Sequence, residues 1–155
     1  MKVLVLTISD RVSKGVYEDR SGPEIERILG SGLVGVDVKR LVVSDDAGEI
    51  EDALERHLNM DAIITTGGTG IGPRDNTPEI TGKFCDRLIP GIAEYLRRES
   101  FKQTANAVLS RGVAGVKGHT VIVNLPGSVK GAGFCAELLV SLLPHACKMV
   151  SGEGH

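Results

Sequence analysis

The sequence predicts a three-layer α/β/α protein, a doubly wound and mostly parallel sheet with helices on both faces, and three observations carry that expectation. Near-continuous apolar runs at residues 3–8, 62–64 and 119–125 have the pattern of strands covered on both sides. Segments with apolar residues at helical spacing lie between them, which is the alternation of βα units. The 20 glycines are scattered, as many tight turns between strands and helices require.

A chain of 155 residues suits one domain, residues 1–155, whose core needs neither metal nor disulfide. A net charge of −2 without any basic block leaves no electrostatic footprint for nucleic acid. Cys85, Cys135 and Cys147 are odd in number and widely spaced, which argues for reduced, packed thiols rather than a disulfide framework or a zinc site. The N-terminal apolar run is too short for a signal peptide and reads as a first core strand. No stretch reads as the ~18 apolar residues of a membrane span, so the expected compartment is the cytoplasm, with neither membrane nor nucleic acid as partner.

In chain order, the first strand ends in Ser9-Asp10-Arg11. Polar residues at a strand's carboxyl end lie where open α/β sheets bind ligands, although a solvated loop has the same composition. Residues 12–20 read as a polar loop. Ser21-Gly22-Pro23-Glu24 matches a capping box, with Ile25, Ile28 and Leu29 inward until Gly30 and Gly32 end the helix. A second strand is expected over residues 34–43, where valines alternate before Leu41, Val42 and Val43. Ser44, Asp45 and Asp46 follow, and Ile50, Ala53, Leu54, His57 and Leu58 then mark a helical face. One of these polar residues must cap that helix, which explains one carboxylate but not two. His57 reads as a partly buried structural residue rather than a ligand.

The third strand runs into Thr66-Gly67-Gly68-Thr69-Gly70, then Arg74-Asp75 and Thr77-Pro78-Glu79. Glycines let the main chain approach a ligand and gather N–H groups into one concavity, which suits a phosphate. A simple chain reversal is the alternative, yet Arg74, Asp75 and Thr77 exceed what a turn needs. Thr77 is the expected N-cap of the next helix, with Pro78 at its first position. A helix over residues 92–102 is expected to turn Ile92, Leu96 and Phe101 inward. Residues 107–116 suggest a short hairpin or an irregular strand leaving the main sheet. The strand at 119–125 stops at Pro126-Gly127-Ser128, a second strand-to-helix loop. A final helix bearing Leu138, Leu139, Leu142 and Leu143 must kink or restart at Pro144, and residues 151–155 are expected to fray.

Four polar strand ends can converge on one crevice of such a sheet. Carboxylates, two glycine loops and no nucleophile–histidine pair point to phosphate chemistry assisted by a hard cation. Mg²⁺ binds through one or two carboxylates plus substrate phosphate oxygens, which fits Asp45 and Asp75. Phosphoryl and nucleotidyl transfer rest on positioning and charge neutralisation, so no covalent nucleophile is required. Neither the dinucleotide-binding nor the P-loop fingerprint is present.

The run Thr66 to Gly70, three intervening residues, Arg74-Asp75 and Thr77-Pro78-Glu79 resembles the signature of the MoaB/Mog family of molybdenum cofactor biosynthesis. Ile8-Ser9-Asp10-Arg11 and Asn124-Leu125-Pro126-Gly127-Ser128 are similar to the same family, and the similarity runs from the first strand through the last helix. The resemblance implies transfer of AMP from the co-substrate ATP, with Mg²⁺, to the terminal phosphate of molybdopterin, releasing pyrophosphate. It puts the catalytic, metal-holding acidic pair on Asp45 and Asp75. Asp45 is preferred to Asp46 because it follows the strand by one serine, with the register open by one residue. Ser9, Asp10, Arg11, Gly67, Gly68, Thr69, Gly70, Arg74 and Thr77 would bind nucleotide or pterin, with Pro126, Gly127 and Ser128 as the facing wall. The resemblance also implies a homo-oligomer, a trimer or a dimer of trimers, and leaves molybdenum and tungsten pathways both open. The MoeA-type and CinA-type relatives normally carry extra domains that 155 residues would not hold. The alternative readings are a non-catalytic pterin-binding or assembly protein of the same pathway and a nucleotide-binding regulatory domain.

Overall fold

In a computed structural model that describes residues 1–153, six strands form one sheet. They are β1 (Lys2–Ile8), β2 (Asp37–Val43), β3 (Ala62–Thr66), β4 (Arg87–Leu88), β5 (Ala114–Lys117) and β6 (Thr120–Leu125), in the order β2-β1-β3-β6-β5-β4. β2, β1, β3 and β6 are parallel, and β5 and β4 add an antiparallel edge. The helices are α1 (Asp10–Ser13), α2 (Ser21–Gly32), α3 (Ala47–Arg56), α4 (Thr77–Phe84), α5 (Pro90–Phe101) and α6 (Val129–Val150), with a 3-10 turn at Ala105–Leu109.

Successive strand side chains point to opposite faces, so each apolar run feeds two cores. On one face Val3, Val5, Ile64 and Val123 pack with Ile25 and Leu29 of α2 and Ala136, Leu139 and Leu143 of α6. On the other, Leu4, Leu6, Ile63 and Ile122 meet Ile50 and Leu54 of α3 and Ile80 of α4. Both faces are covered, which is why the central strands read as continuous rather than alternating.

Several local expectations are corrected. β2 begins at Asp37, because Gly35 adopts a left-handed turn at φ 67° and Val34 is fully exposed. Residues 12–20 are not wholly loop: Ser9 Oγ accepts from the Val12 amide and starts the turn α1. Ser21 does not cap α2, since the Gly22 amide donates to Asp19 Oδ1 at 3.0 Å, and α2 passes through Gly30. Thr77 is the first residue of α4, not its cap; its hydroxyl donates to the Gly67 carbonyl at 3.1 Å. Phe101 is exposed rather than inward. The stretch expected to leave the sheet instead makes the 3-10 turn and then β5, which pairs with β6 across Gly118 (φ 57°) inside the main sheet.

α6 continues through Pro144 without a break. By length and composition it could cross a membrane, which corrects the sequence expectation, but Ala132, Ala136, Leu139 and Leu143 form the sheet's core. Beyond Val150 the chain is still held in a turn, for the amides of Ser151, Gly152 and Glu153 donate back to the Cys147, Met149 and Lys148 carbonyls. Residues 154 and 155 of the expected frayed tail lie outside the described residues. His57 is half-buried and its Nδ1 lies 2.7 Å from the Ala53 carbonyl. The three thiols are free, and burial pushes those of Cys85 and Cys147 up to about 11.

Candidate functional site

From β1 the chain crosses to β2 on one side and then to β3 on the other, so the carboxyl ends of β1 and β3 flank a topological switch point. A cleft of about 580 Å³ opens there. Gly67 and Gly68 follow β3 with φ of 103° and 64°, a left-handed pair that side chains rarely adopt. Space demands glycine as well: a Cβ at Gly67 would strike the Ile8 carbonyl and one at Gly68 the Thr77 hydroxyl. The start of α4 fastens this turn, with the Thr77 amide donating to the Gly68 carbonyl at 3.2 Å. The second glycine loop packs against the first, since a Cβ on Gly127 would lie 3.2 Å from Gly67 Cα. Thr66 Oγ1 ties the two loops by donating to the Pro126 carbonyl at 2.7 Å, and Ser128 caps α6 by accepting from the Gly131 amide.

The backbone separates the adjacent carboxylates after β2. Asp46 Oδ1 accepts from the Glu49 amide at 3.0 Å and caps α3. Asp45 is left to line the cleft, where its Oδ2 accepts from the Asp10 amide at 2.8 Å. Asp10 returns the contact, its Oδ1 accepting from the Asp45 amide, while its Oδ2 pairs with Arg74 at 2.7 Å. The Asp45 amide foremost, and Arg74 with it, hold the Asp10 carboxyl below the ordinary aspartate range against a partial desolvation. Asp75, also on the cleft, is anchored through Oδ2 by the Gly72 amide at 2.8 Å. Among the described residues, Asp45 and Asp75 thus each keep Oδ1 without a hydrogen-bond partner.

Of the other sequence-predicted residues, Ser9, Arg11, Gly67, Gly68, Gly127 and Ser128 line the cleft. Asp10 and Arg74 are spent on each other beside it. Thr69 and Thr77 are buried and do not line it, Gly70 packs against the Asp75 carboxylate, and Pro126 serves through its carbonyl. The cleft also takes in Thr66, the first residue of the signature run, and residues that the sequence does not flag, among them Thr7, Tyr17 and Asp19. Thr7 Oγ1 donates to Asp19 Oδ2 at 2.9 Å and folds the segment before α2 over the end of β1, and Arg11 stacks 5.6 Å above the Tyr17 ring. Thr7 alone could have been singled out, as a hydroxyl within an apolar strand.

A doubly wound sheet with two glycine loops and anchored carboxylates at its switch point defines an α/β protein suited to phosphorylated ligands. The chain belongs to the family described as the probable molybdopterin binding domain, whose model matches residues 4–145. It is 39% identical over 153 residues to the molybdopterin adenylyltransferase of Helicobacter pylori strain J99, covering 96% of this chain and 87% of that protein. The molybdenum cofactor synthesis protein cinnamon of Drosophila melanogaster is 38% identical over 152 residues, 96% of this chain but 25% of that longer protein. Among solved structures, the molybdopterin biosynthesis enzyme MoaB of Thermus thermophilus is similar with a TM-score of 0.88 and 42% identity, covering 97% of this chain and 96% of that one.

Proposed function

We propose that this protein is a molybdopterin adenylyltransferase of molybdenum cofactor biosynthesis. A terminal phosphate oxygen of molybdopterin attacks the α-phosphorus of ATP, a P–O bond forms, the bond to the β-phosphate bridge breaks, and pyrophosphate leaves. The observation that carries this reading is the pairing of Asp45 and Asp75 on one cleft, each fixed through one oxygen with the other free, in a chain similar to a named adenylyltransferase.

The residues present fit a hard cation. No three His, Cys, Asp or Glu groups among the described residues could hold a metal by themselves, and Mg²⁺ characteristically takes one or two carboxylates and completes its shell with phosphate and water. Asp45 and Asp75 would hold it, and it would supply charge neutralisation at the reacting phosphates. The chain's own part is to bind and orient. Gly67 and Gly68 line the cleft with bare main chain, Gly127 and Ser128 line it beside them at the start of α6, and the positive end of that helix favours an anion.

We also propose a homotrimer acting in the cytoplasm. Exposed Leu88, Phe101, Val108 and Leu109 lie on β4, α5 and the adjoining 3-10 turn, and support an apolar face between subunits. The activity is tested by incubating the protein with ATP, Mg²⁺ and molybdopterin and identifying the product by mass spectrometry. An adenylylated pterin is expected; pterin bound without any such product would make the protein a non-catalytic carrier.

A further inference from the structure

Arg111 lies between the 3-10 turn and β5, far along the chain from the glycine loop, and does not line the cleft. Its guanidinium nevertheless spends two contacts on that loop and one on the first turn of α4. Nε donates to the Gly70 carbonyl at 2.7 Å, Nη2 donates to the Asp75 carbonyl at 2.7 Å, and Nη1 pairs with the Glu79 carboxylate. Its own amide donates to the Thr69 carbonyl at 2.9 Å. One residue therefore grips the loop at three points, Thr69, Gly70 and Asp75, and the helix that follows it at a fourth, Glu79.

That segment needs an external hold. It contains Gly70 and Gly72, which lower the cost of alternative backbone states, Ile71 is exposed, and Arg74, itself exposed, reaches Asp10 only through the end of its side chain. Within it, Asp75 is bonded only to Gly72, a local turn that could move as a unit. A planar guanidinium fork fixes two carbonyls and a carboxylate in one orientation, which the point charge of lysine cannot do. Arg111 also holds the Glu79 carboxyl below its ordinary range, as expected of a formed pair.

We propose that Arg111 is the positioning residue for Asp75: through the Gly70 and Asp75 carbonyls it sets where the Asp75 carboxylate meets the cleft, without touching substrate. The inference rests on the role given to Asp75 in AMP transfer. A residue that only stabilised the fold would lower the melting temperature and leave kcat of the folded protein unchanged. A positioning residue acts on kcat, because small misplacements of a reacting constellation cost up to about 100-fold.

The test compares wild type with R111Q, R111A and the milder E79Q. Each is examined for AMP transfer and, without ligand, for the exchange rate of the Gly72 amide that bonds Asp75. In R111Q and R111A, kcat is expected to fall about 10- to 100-fold while KM for ATP moves less than about threefold. Added guanidinium is expected to restore part of the R111A activity, and Gly72 amide exchange to accelerate in both variants. E79Q turns one anchor from an ion pair into a neutral hydrogen bond and is expected to show a smaller effect in the same direction, which keeps the test valid should the arginine variants misfold. Wild-type kcat in folded R111Q, or in E79Q if neither arginine variant folds, overturns the proposal, as does unchanged Gly72 exchange. Failure of the wild-type protein to transfer AMP overturns the adenylyltransferase reading instead, and Gly72 exchange then decides the positioning claim alone.

Discussion

Asp10 and Asp45 hold one another through their backbones, the amide of each donating to the carboxylate of the other at 2.8 and 3.0 Å. This exchange ties the end of β1 to the end of β2. Arg74 closes on the remaining Asp10 oxygen and brings in the glycine loop, so three strand ends meet on one carboxylate. Asp10 is accordingly placed as a strut for Asp45.

Removing the strut should loosen Asp45 without unfolding the sheet. Asp10→Ala is expected to lower AMP transfer about tenfold, the equivalent of one net hydrogen bond lost from the site. The pH dependence follows from the depressed Asp10 carboxyl, which the Asp45 amide chiefly stabilises in its charged form. Its contribution is fully present above the ordinary aspartate value and is lost as pH falls through the lower folded value. Acid unfolding curves below about pH 5 should therefore be shallower for Asp10→Asn than for wild type. Identical curves would remove Asp10 from this role.

Asp46 separates stability from chemistry. It caps α3 through the Glu49 amide, so Asp46→Ala should cost ~0.5–2 kcal/mol in denaturant unfolding while transfer stays near the wild-type rate. A severe loss of transfer with unchanged stability would exchange the roles of Asp45 and Asp46.

Gly68→Val should cost stability as well as binding. The backbone there is left-handed and the added Cβ would meet the Thr77 hydroxyl, with Asp45 Oδ1 only 3.5 Å away. Strain of ~1–3 kcal/mol is expected. Calorimetry of the folded variant should show weakened ATP binding; undiminished affinity would make the loop a simple chain reversal.

The central strands were legible because burial on both faces writes an unbroken apolar run, and the strand-end motifs were legible because their glycines and charges are local. What required the structure is long-range. The Thr77 hydroxyl has a cap's chemistry, but its partner is the Gly67 carbonyl across the loop. Capping demanded one carboxylate of Asp45 and Asp46, and only the backbone at the end of β2 decides which. Arg111 bonds residues 36 and 41 positions earlier, a relation no local pattern records. β4 is two exposed residues, Arg87 and Leu88, and gives no periodicity to detect. Phe101 has inward helical spacing but sits in the last turn of α5, where it is exposed.

The two-carboxylate site is tested most directly by pyrophosphate release from ATP in the presence of molybdopterin and Mg²⁺, comparing wild type with Asp45→Ala and Asp75→Asn. Wild type is expected to release one pyrophosphate for each pterin adenylylated. Each variant should be slower by more than ~100-fold, the loss typical of removing one electrostatic stabiliser, with a melting temperature close to wild type. Wild-type rates in both folded variants would contradict the site.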